Sequence, residues 1–249
     1  MSKPTSIPSP VRRKALNQLH RIAGITAGGV LLYLLFTGIA LQFTDELALG
    51  QRHISTSVVL DWYGLKAPAE VTGNGDVAFI GGQLYWRDTR IAEVSGYLGS
   101  LKRDALIVGA SPGAIWFFPE RQPEALEIIA LRGTVSAIGA HEGRIYLLLD
   151  HQLHRLDEAL LNVEAAAPLE VAAPVDIDWV EPDLLAPAAT AVYREYFRGY
   201  LLTTERLFQD LHSGRLFGPG GVWIVNLSSL MLLVLSITGL WIWWRSRAL

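Results

Sequence analysis

Apolar positions follow three different rhythms along this chain. Ile22 to Phe43 is a run of 22 residues without a charge, and Val222 to Trp244 is a second such run of 23. A helix needs about 20 apolar residues to cross a bilayer, so both runs predict transmembrane helices rather than long buried core helices. The first also exceeds the roughly 7–15 residues of a signal-peptide core, which predicts a retained span.

Between the spans the rhythm shortens. Residues 77–157 hold a weak threefold repeat whose first arms read VAFIGG (77–82), ALIVGA (105–110) and VSAIGA (135–140). Gly81, Gly109 and Gly139 align there at spacings of 28 and 30. An aromatic arm follows each (83–87, 114–118, 144–149), then a third short arm (90–94, 125–130, 152–156). Gly82, Ser111-Pro112-Gly113 and Glu142-Gly143 separate the first two arms. Short β-rich arms bounded by turn residues predict antiparallel strands, and the fixed period predicts one unit used three times. Three units of three strands fall short of a closed propeller, which has about four or more four-stranded blades. The expectation is a twisted meander or an incomplete propeller-like sheet.

Pro168, Pro174, Pro182 and Pro187 punctuate residues 165–189, which predicts an extended surface linker. From Thr190 to His212 the rhythm becomes helical. Val192, Phe197, Leu201, Phe208 and Leu211 recur among charged residues, predicting one amphipathic helix that stops at Ser213-Gly214. The expected fold class is therefore a membrane α+β protein. Its parts are a basic N-terminus (1–21), transmembrane helix 1 (22–43), a β-rich domain with its Pro/Ala linker (44–189), an interfacial helix (190–213), transmembrane helix 2 (222–244) and a short C-terminus (245–249).

Charge orients these parts. Residues 1–21 carry five basic residues and no acid, and the last five carry Arg245 and Arg247, whereas residues 44–221 carry 14 basic and 24 acidic residues. Basic residues beside both spans predict cytoplasmic termini. The middle is then extracytoplasmic, and periplasmic if the membrane is a bacterial inner membrane. Trp241, Trp243 and Trp244, just before Arg245, fit an interfacial aromatic belt. The whole-chain values, 51% hydrophobic, mean hydropathy +0.29 and net charge -3, average over these parts. They still argue against a nucleic-acid binder and against disorder. The lack of cysteine excludes a disulfide scaffold, iron–sulfur ligation and covalent CxxCH haem attachment, and leaves haem held by histidine open.

The sequence has no P-loop, dinucleotide fingerprint, HExxH or nucleophile elbow, so nicotinamide or flavin chemistry would have to come from a partner or the quinone pool. Asp150-His151-Gln152-Leu153-His154 reads as a solvated hairpin rather than a metal site, because positions three apart on a strand face opposite ways. No metal is expected. Arg215, after Gly214, either holds a phosphate or carboxylate through its planar fork or snorkels to lipid headgroups. Gly24-x-x-x-Gly28, with Gly29 beside it, permits close packing of the two spans or leaves room for a flat cofactor. Ser228, Ser229, Ser236 and Thr238 bond across helices or back onto their own helix.

Two motifs sit at the span boundaries. Leu19-His20-Arg21 runs into Ile22-Ala23-Gly24-Ile25 and on to Leu35-Phe36-Thr37-Gly38. Asp210-Leu211-His212-Ser213-Gly214-Arg215-Leu216-Phe217-Gly218 leads to Ile237-Thr238-Gly239-Leu240-Trp241-Ile242-Trp243-Trp244. Through these motifs the chain resembles the PepSY-associated transmembrane-helix family over residues 14–47 and 193–247. Larger four-span relatives include inner-membrane ferric-siderophore reductases with b-type haem between their helices. The resemblance implies haem b, a role in transmembrane electron transfer or iron uptake, and a component of a haem-dependent ferric reductase.

On that resemblance His20 and His212 are candidate haem ligands, with Arg215 beside the second. Neutral imidazole is a common axial ligand; the alternative for each histidine is a polar anchor at a span end. The two lie about one hydrocarbon thickness apart, roughly 30 Å, so one haem cannot join them within a chain. A homodimer would pair His20 with His20 and His212 with His212, giving two stacked haems. The expected partners are membrane lipid, a second copy or a larger membrane complex, and a periplasmic ferric chelate or redox partner; nucleic acid is not among them. The competing reading is a non-enzymatic accessory subunit whose β-rich domain is an interaction module.

Overall fold

The computed structural model describes residues 10–156, 163–165 and 176–247. Its helices are α1 (Pro10–Gln42), α2 (Ser57–Trp62), α3 (Pro187–Gly199), α4 (Thr204–His212) and α5 (Gly218–Arg247). The chain divides into two compact units: a helical unit of Met1–Ile54 with Leu201–Leu249, and a β unit of Ser55–Tyr200.

In the helical unit α1 starts at Pro10, whose missing N–H is no loss at a first helical position. Two stretches are long and apolar enough to cross a membrane, Gly24–Gln42 and Arg215–Trp241. Leu32 and Phe36 on α1, and Trp223 and Ile237 on α5, are exposed. That much exposed apolar surface suits hydrocarbon rather than water. Among the described residues no atom lies within 4 Å of where the Cβ atoms of Gly24, Gly28 and Gly29 would be, so these glycines do not mark the close approach of the two spans there. What is buried instead is Ala27 and Thr37 on α1 and Ser228 on α5. Ser229 and Thr238 bond back to the carbonyls of Val225 and Val234, at 2.9 and 2.8 Å. At the end of α5 the Arg247 guanidinium lies 4.1 Å from the Trp243 ring centre.

The single amphipathic helix expected over 190–213 is two helices. The first ends at Gly199, and Tyr200 closes its last turn through N–H to the Phe197 carbonyl at 3.1 Å. Thr203 then caps α4, its hydroxyl accepting from the Arg206 N–H at 3.2 Å. The carbonyl of Leu202 accepts from the Ile54 N–H, and Leu202 is buried where the longer helix would have continued. Side-chain capping and this pairing outcompete the helical period, and Val192 is left exposed. Thr203→Ala should lower stability by about 1 kcal/mol while Thr203→Ser holds it, read by SDS titration of the detergent-solubilised chain.

The β unit has fourteen strands among the described residues, in three sheets. The first orders β14 (Asp183–Leu184), β1 (Thr72–Asn74), β2 (Val77–Ile80), β3 (Gln83–Trp86) and β4 (Thr89–Glu93). The second is the meander β5 (Gly99–Arg103), β6 (Leu106–Ser111), β7 (Ala114–Pro119) and β8 (Glu127–Ala130). The third orders β13 (Asp178–Trp179), β9 (Val135–His141), β10 (Arg144–Leu149), β11 (Gln152–Leu156) and β12 (Val163–Ala165). All nine predicted arms are strands, but the repeat unit has four. The extra strand lies beside the first arm each time: β1 on β2, β5 on β6, and β13 on β9.

The linker expected over 165–189 therefore contains two strands, β13 on the third sheet and β14 on the first; residues 166–175 lie outside the described residues. Val180 N–H donates to the Ile138 carbonyl and Leu185 N–H to the Val71 carbonyl, both at 2.9 Å. The repeat register also differs. Gly81 is a hairpin residue at φ +55°, whereas Gly109 and Gly139 are inside strands. The equivalent cross-strand pairs are Ala78–Tyr85, Gly109–Trp116 and Gly139–Tyr146, a small residue against an aromatic in every sheet.

The middle sheet is buried on both faces. Along β7, Ile115 and Phe117 join the core shared with the third sheet, and Trp116 and Phe118 the core shared with the first. Strict alternation between two cores makes the strand a continuous apolar run. Between the first and second sheets the Asn74 amide mimics a backbone pair: its Nδ2 donates to the Ser100 carbonyl at 2.7 Å and its Oδ1 accepts from the Ser100 N–H at 3.0 Å. The Tyr97 hydroxyl donates to the same Oδ1, and burial raises the Tyr97 pKa above the ordinary phenol value. The other face of the first sheet is covered by Phe197 and Tyr193 of α3.

Candidate functional site

The helical unit brings the two boundary motifs together. Tyr33 and Thr37 lie four residues apart on α1 and so share one stripe, with Gly38 next to it. Against this stripe lies the last turn of α4, carrying Leu211 and His212. The Tyr33 hydroxyl donates to the Leu211 carbonyl at 2.5 Å. Thr37 Oγ1 lies 2.8 Å from His212 Nδ1, 3.0 Å from the Tyr33 carbonyl and 3.2 Å from that of Leu34. Thr37 is 2% exposed. A Cβ on Gly38 would lie 3.3 Å from His212 Cε1 and 3.8 Å from Nδ1, so the glycine is where the imidazole rests.

The corner that presents His212 is built by the second motif. Ser213 caps α4 and Gly214 follows at φ +75°, so the helix stops where the sequence predicts. A short 3-10 turn, Arg215–Phe217, then leads into α5. One turn before the corner, buried Asp210 accepts from Arg206 Nε at 3.0 Å. Arg215 is exposed at the start of the 3-10 turn.

The side chain of His20 lies outside the described residues. Its backbone belongs to α1, 18 positions before Gly38, which is roughly 27 Å at 1.5 Å per residue. His20 and His212 are therefore carried at opposite ends of one span. Sequence reading found both histidines and the Thr37-Gly38 pair but not the meeting of Thr37 with His212. It missed Tyr33, whose only signal was a lone polar hydroxyl one turn before Thr37 in an apolar helix.

Residues elsewhere are used locally. In the 150–154 segment the Asp150 carboxylate accepts from the Thr134 N–H at 2.8 Å, and His151 sits exposed in the β10–β11 turn. In the β unit a cleft of about 400 Å³ lies between the first two sheets, walled by Trp86 and Ile107. Along it Asp76, Arg87, Glu120 and Lys102 form a chain of ion pairs, the Lys102–Glu120 contact being 2.7 Å.

The sequence pattern of the PepSY-associated TM region matches residues 125–246, which includes the whole His212 corner and α5 up to its last residue but one. This segment, just under half of the chain, belongs to the PepSY-associated transmembrane family. No curated protein and no solved structure matches the chain. Family and the two long apolar helices together make this a membrane protein. The motif of α1 falls outside the matched residues. Its tie to the family runs through space, because Thr37 and Gly38 hold a histidine that the match includes.

Proposed function

We propose that this PepSY-associated protein binds haem b and passes electrons across the membrane, with His212 as an axial ligand at one face and His20 at the other. The observation that carries the reading is the anchored His212 ring. Its Nδ1 is engaged by Thr37, and no hydrogen bond to its Nε2 occurs among the described residues. A ligating imidazole is typically held in this way, through its second nitrogen. The chain carries one histidine near each end of the first span, His20 on α1 itself and His212 on α4 against Gly38, so the second axial ligand of each haem comes from a second copy. On α1 His20, Gly24 and Gly28 fall on one i, i+4, i+8 stripe, and the space beside both glycines is open, which suits a flat macrocycle. Bound haem would supply a reversible one-electron couple.

The basic N- and C-terminal segments support cytoplasmic termini in a bacterial inner membrane, with the β unit in the periplasm. A ferric chelate is a fitting acceptor on that side, as in the reductase branch that the sequence resembles. Arg215 would lie beside the outer haem and bind a carboxylate or phosphate there.

The chain purified in mild detergent from haem-replete cells should show a Soret band that shifts on dithionite reduction. His212→Ala and His20→Ala should each remove about half of the haem, and both together all of it, by pyridine haemochrome assay. A colourless preparation without haem by mass spectrometry would end this reading. It would leave the accessory-subunit reading, for which a partner that stays bound to the double variant is the positive sign.

A further inference from the structure

We propose that Thr37 is the positioning residue of His212, holding the imidazole in the tautomer with its proton on Nδ1 and leaving the lone pair on Nε2. The Thr37 hydroxyl has one proton to give and lone pairs to accept with. Three acceptors lie within its reach: the Tyr33 carbonyl, the Leu34 carbonyl and His212 Nδ1.

If the proton goes to a carbonyl, the hydroxyl is free to accept from Nδ1–H, and two hydrogen bonds form at once. If it goes to Nδ1, only one forms. The imidazole must then carry its own proton on Nε2, where the described residues offer no acceptor. Thr37 is buried one turn from the end of an apolar span, where an unmade hydrogen bond is not replaced by water. One additional hydrogen bond corresponds to a tautomer ratio of about tenfold in favour of Nδ1–H. Thr37 then acts as a relay that fixes the proton on the ring by spending its own on the helix backbone.

The rest of the stripe fixes the ring in space. Gly38 lets Cε1 rest where a Cβ would make a tight contact, at 3.3 Å. Tyr33 holds the carbonyl of Leu211, the residue just before His212. The Thr37-Gly38 pair of the first motif and the Leu211-His212 pair of the second are thus two halves of one device. A lone pair on Nε2 is the form in which imidazole binds iron. That use rests on the haem reading above; the tautomer rests on geometry alone.

The test separates the two. The full-length chain, labelled with nitrogen-15 in histidine, is expressed without haem precursor and confirmed colourless. Its imidazole nitrogens are read by NMR in mild detergent at about pH 8.5, where an ordinary imidazole is neutral. The His212 signals are identified by their loss in His212→Ala. The expected spectrum has the proton on Nδ1. Thr37→Ser keeps it there, and the isosteric Thr37→Val lowers the Nδ1-to-Nε2 proton ratio by about tenfold. A wild-type proton on Nε2, or a Thr37→Val spectrum like that of wild type, overturns the proposal. The wild-type spectrum decides the tautomer even if Thr37→Val does not fold. A colourless preparation from haem-replete cells would overturn the haem reading and leave this result standing.

Discussion

Replacing Gly109 with alanine should destabilise the β unit by about 3 kcal/mol or more, among the largest single effects in the chain. Gly109 on β6 pairs directly with Trp116 on β7, and the indole lies where a Cβ on Gly109 would go. The ring has nowhere to retreat. Trp116 is fully buried, with Tyr97 stacked at 6.3 Å and Phe118 at 6.2 Å between ring centres. Tyr97 is itself held by Asn74 and Ser100. A methyl group there must push the whole seam between the first two sheets apart, and a close-packed interior resists such displacement. Gly113→Ala is the control: it lies in the next turn, with no atom within 4 Å of its Cβ position, and should change stability by less than about 0.5 kcal/mol. Urea unfolding of the solubilised chain, followed by near-UV dichroism of the buried indoles, reads both. A Gly109→Ala protein as stable as wild type would mean that the indole does not lie on this glycine.

The same pair explains how far the sequence could be read. Arms such as 114–118 are legible because each consists of apolar residues facing one core or the other. Their bounding turns were equally plain. Alignment on glycine places the first unit of the repeat three residues off, because Gly81 looks like Gly109 in a string of letters. Only the pairing reveals that Ala78, opposite Tyr85, is the true counterpart. The strands outside the nine predicted arms, β1, β5, β12, β13 and β14, are short and carry polar residues such as Asn74, Lys102, Glu164, Asp178 and Asp183. Their place is set by backbone pairing and, for β1, by the Asn74 amide, not by an apolar period. The partners of β13 and β14 are remote in sequence, beyond any local pattern. The site divides in the same way. Each motif was visible because polar residues at span ends stand out against apolar runs, whereas the contact of Thr37 with His212 spans 175 residues.

Gly214→Ala should cost the helical unit about 3 kcal/mol and displace His212 from Thr37. Two independent penalties meet at this position. Its φ of +75° lies in the left-handed region that a Cβ disfavours. The added Cβ would also lie 2.5 Å from the carbonyl oxygen of Gly221, on the first turn of α5. Neither penalty can be relieved alone. Relaxing φ unwinds the end of α4, where the Gly214 N–H donates to the Leu211 carbonyl that also takes the Tyr33 hydroxyl. Moving Gly221 instead shifts α5 away from the corner. Either way the imidazole leaves Gly38, so a stability defect and a site defect should appear together. Gly220→Ala, with open space at its Cβ position, should show neither. SDS titration followed by tryptophan fluorescence reads the first defect. The His212 imidazole nitrogen spectrum reads the second, as a loss of the Nδ1-bound proton signal seen in wild type. A Gly214→Ala protein that loses stability but keeps that signal would show that the ring is held by α1 alone, and that the corner serves only to join two helices.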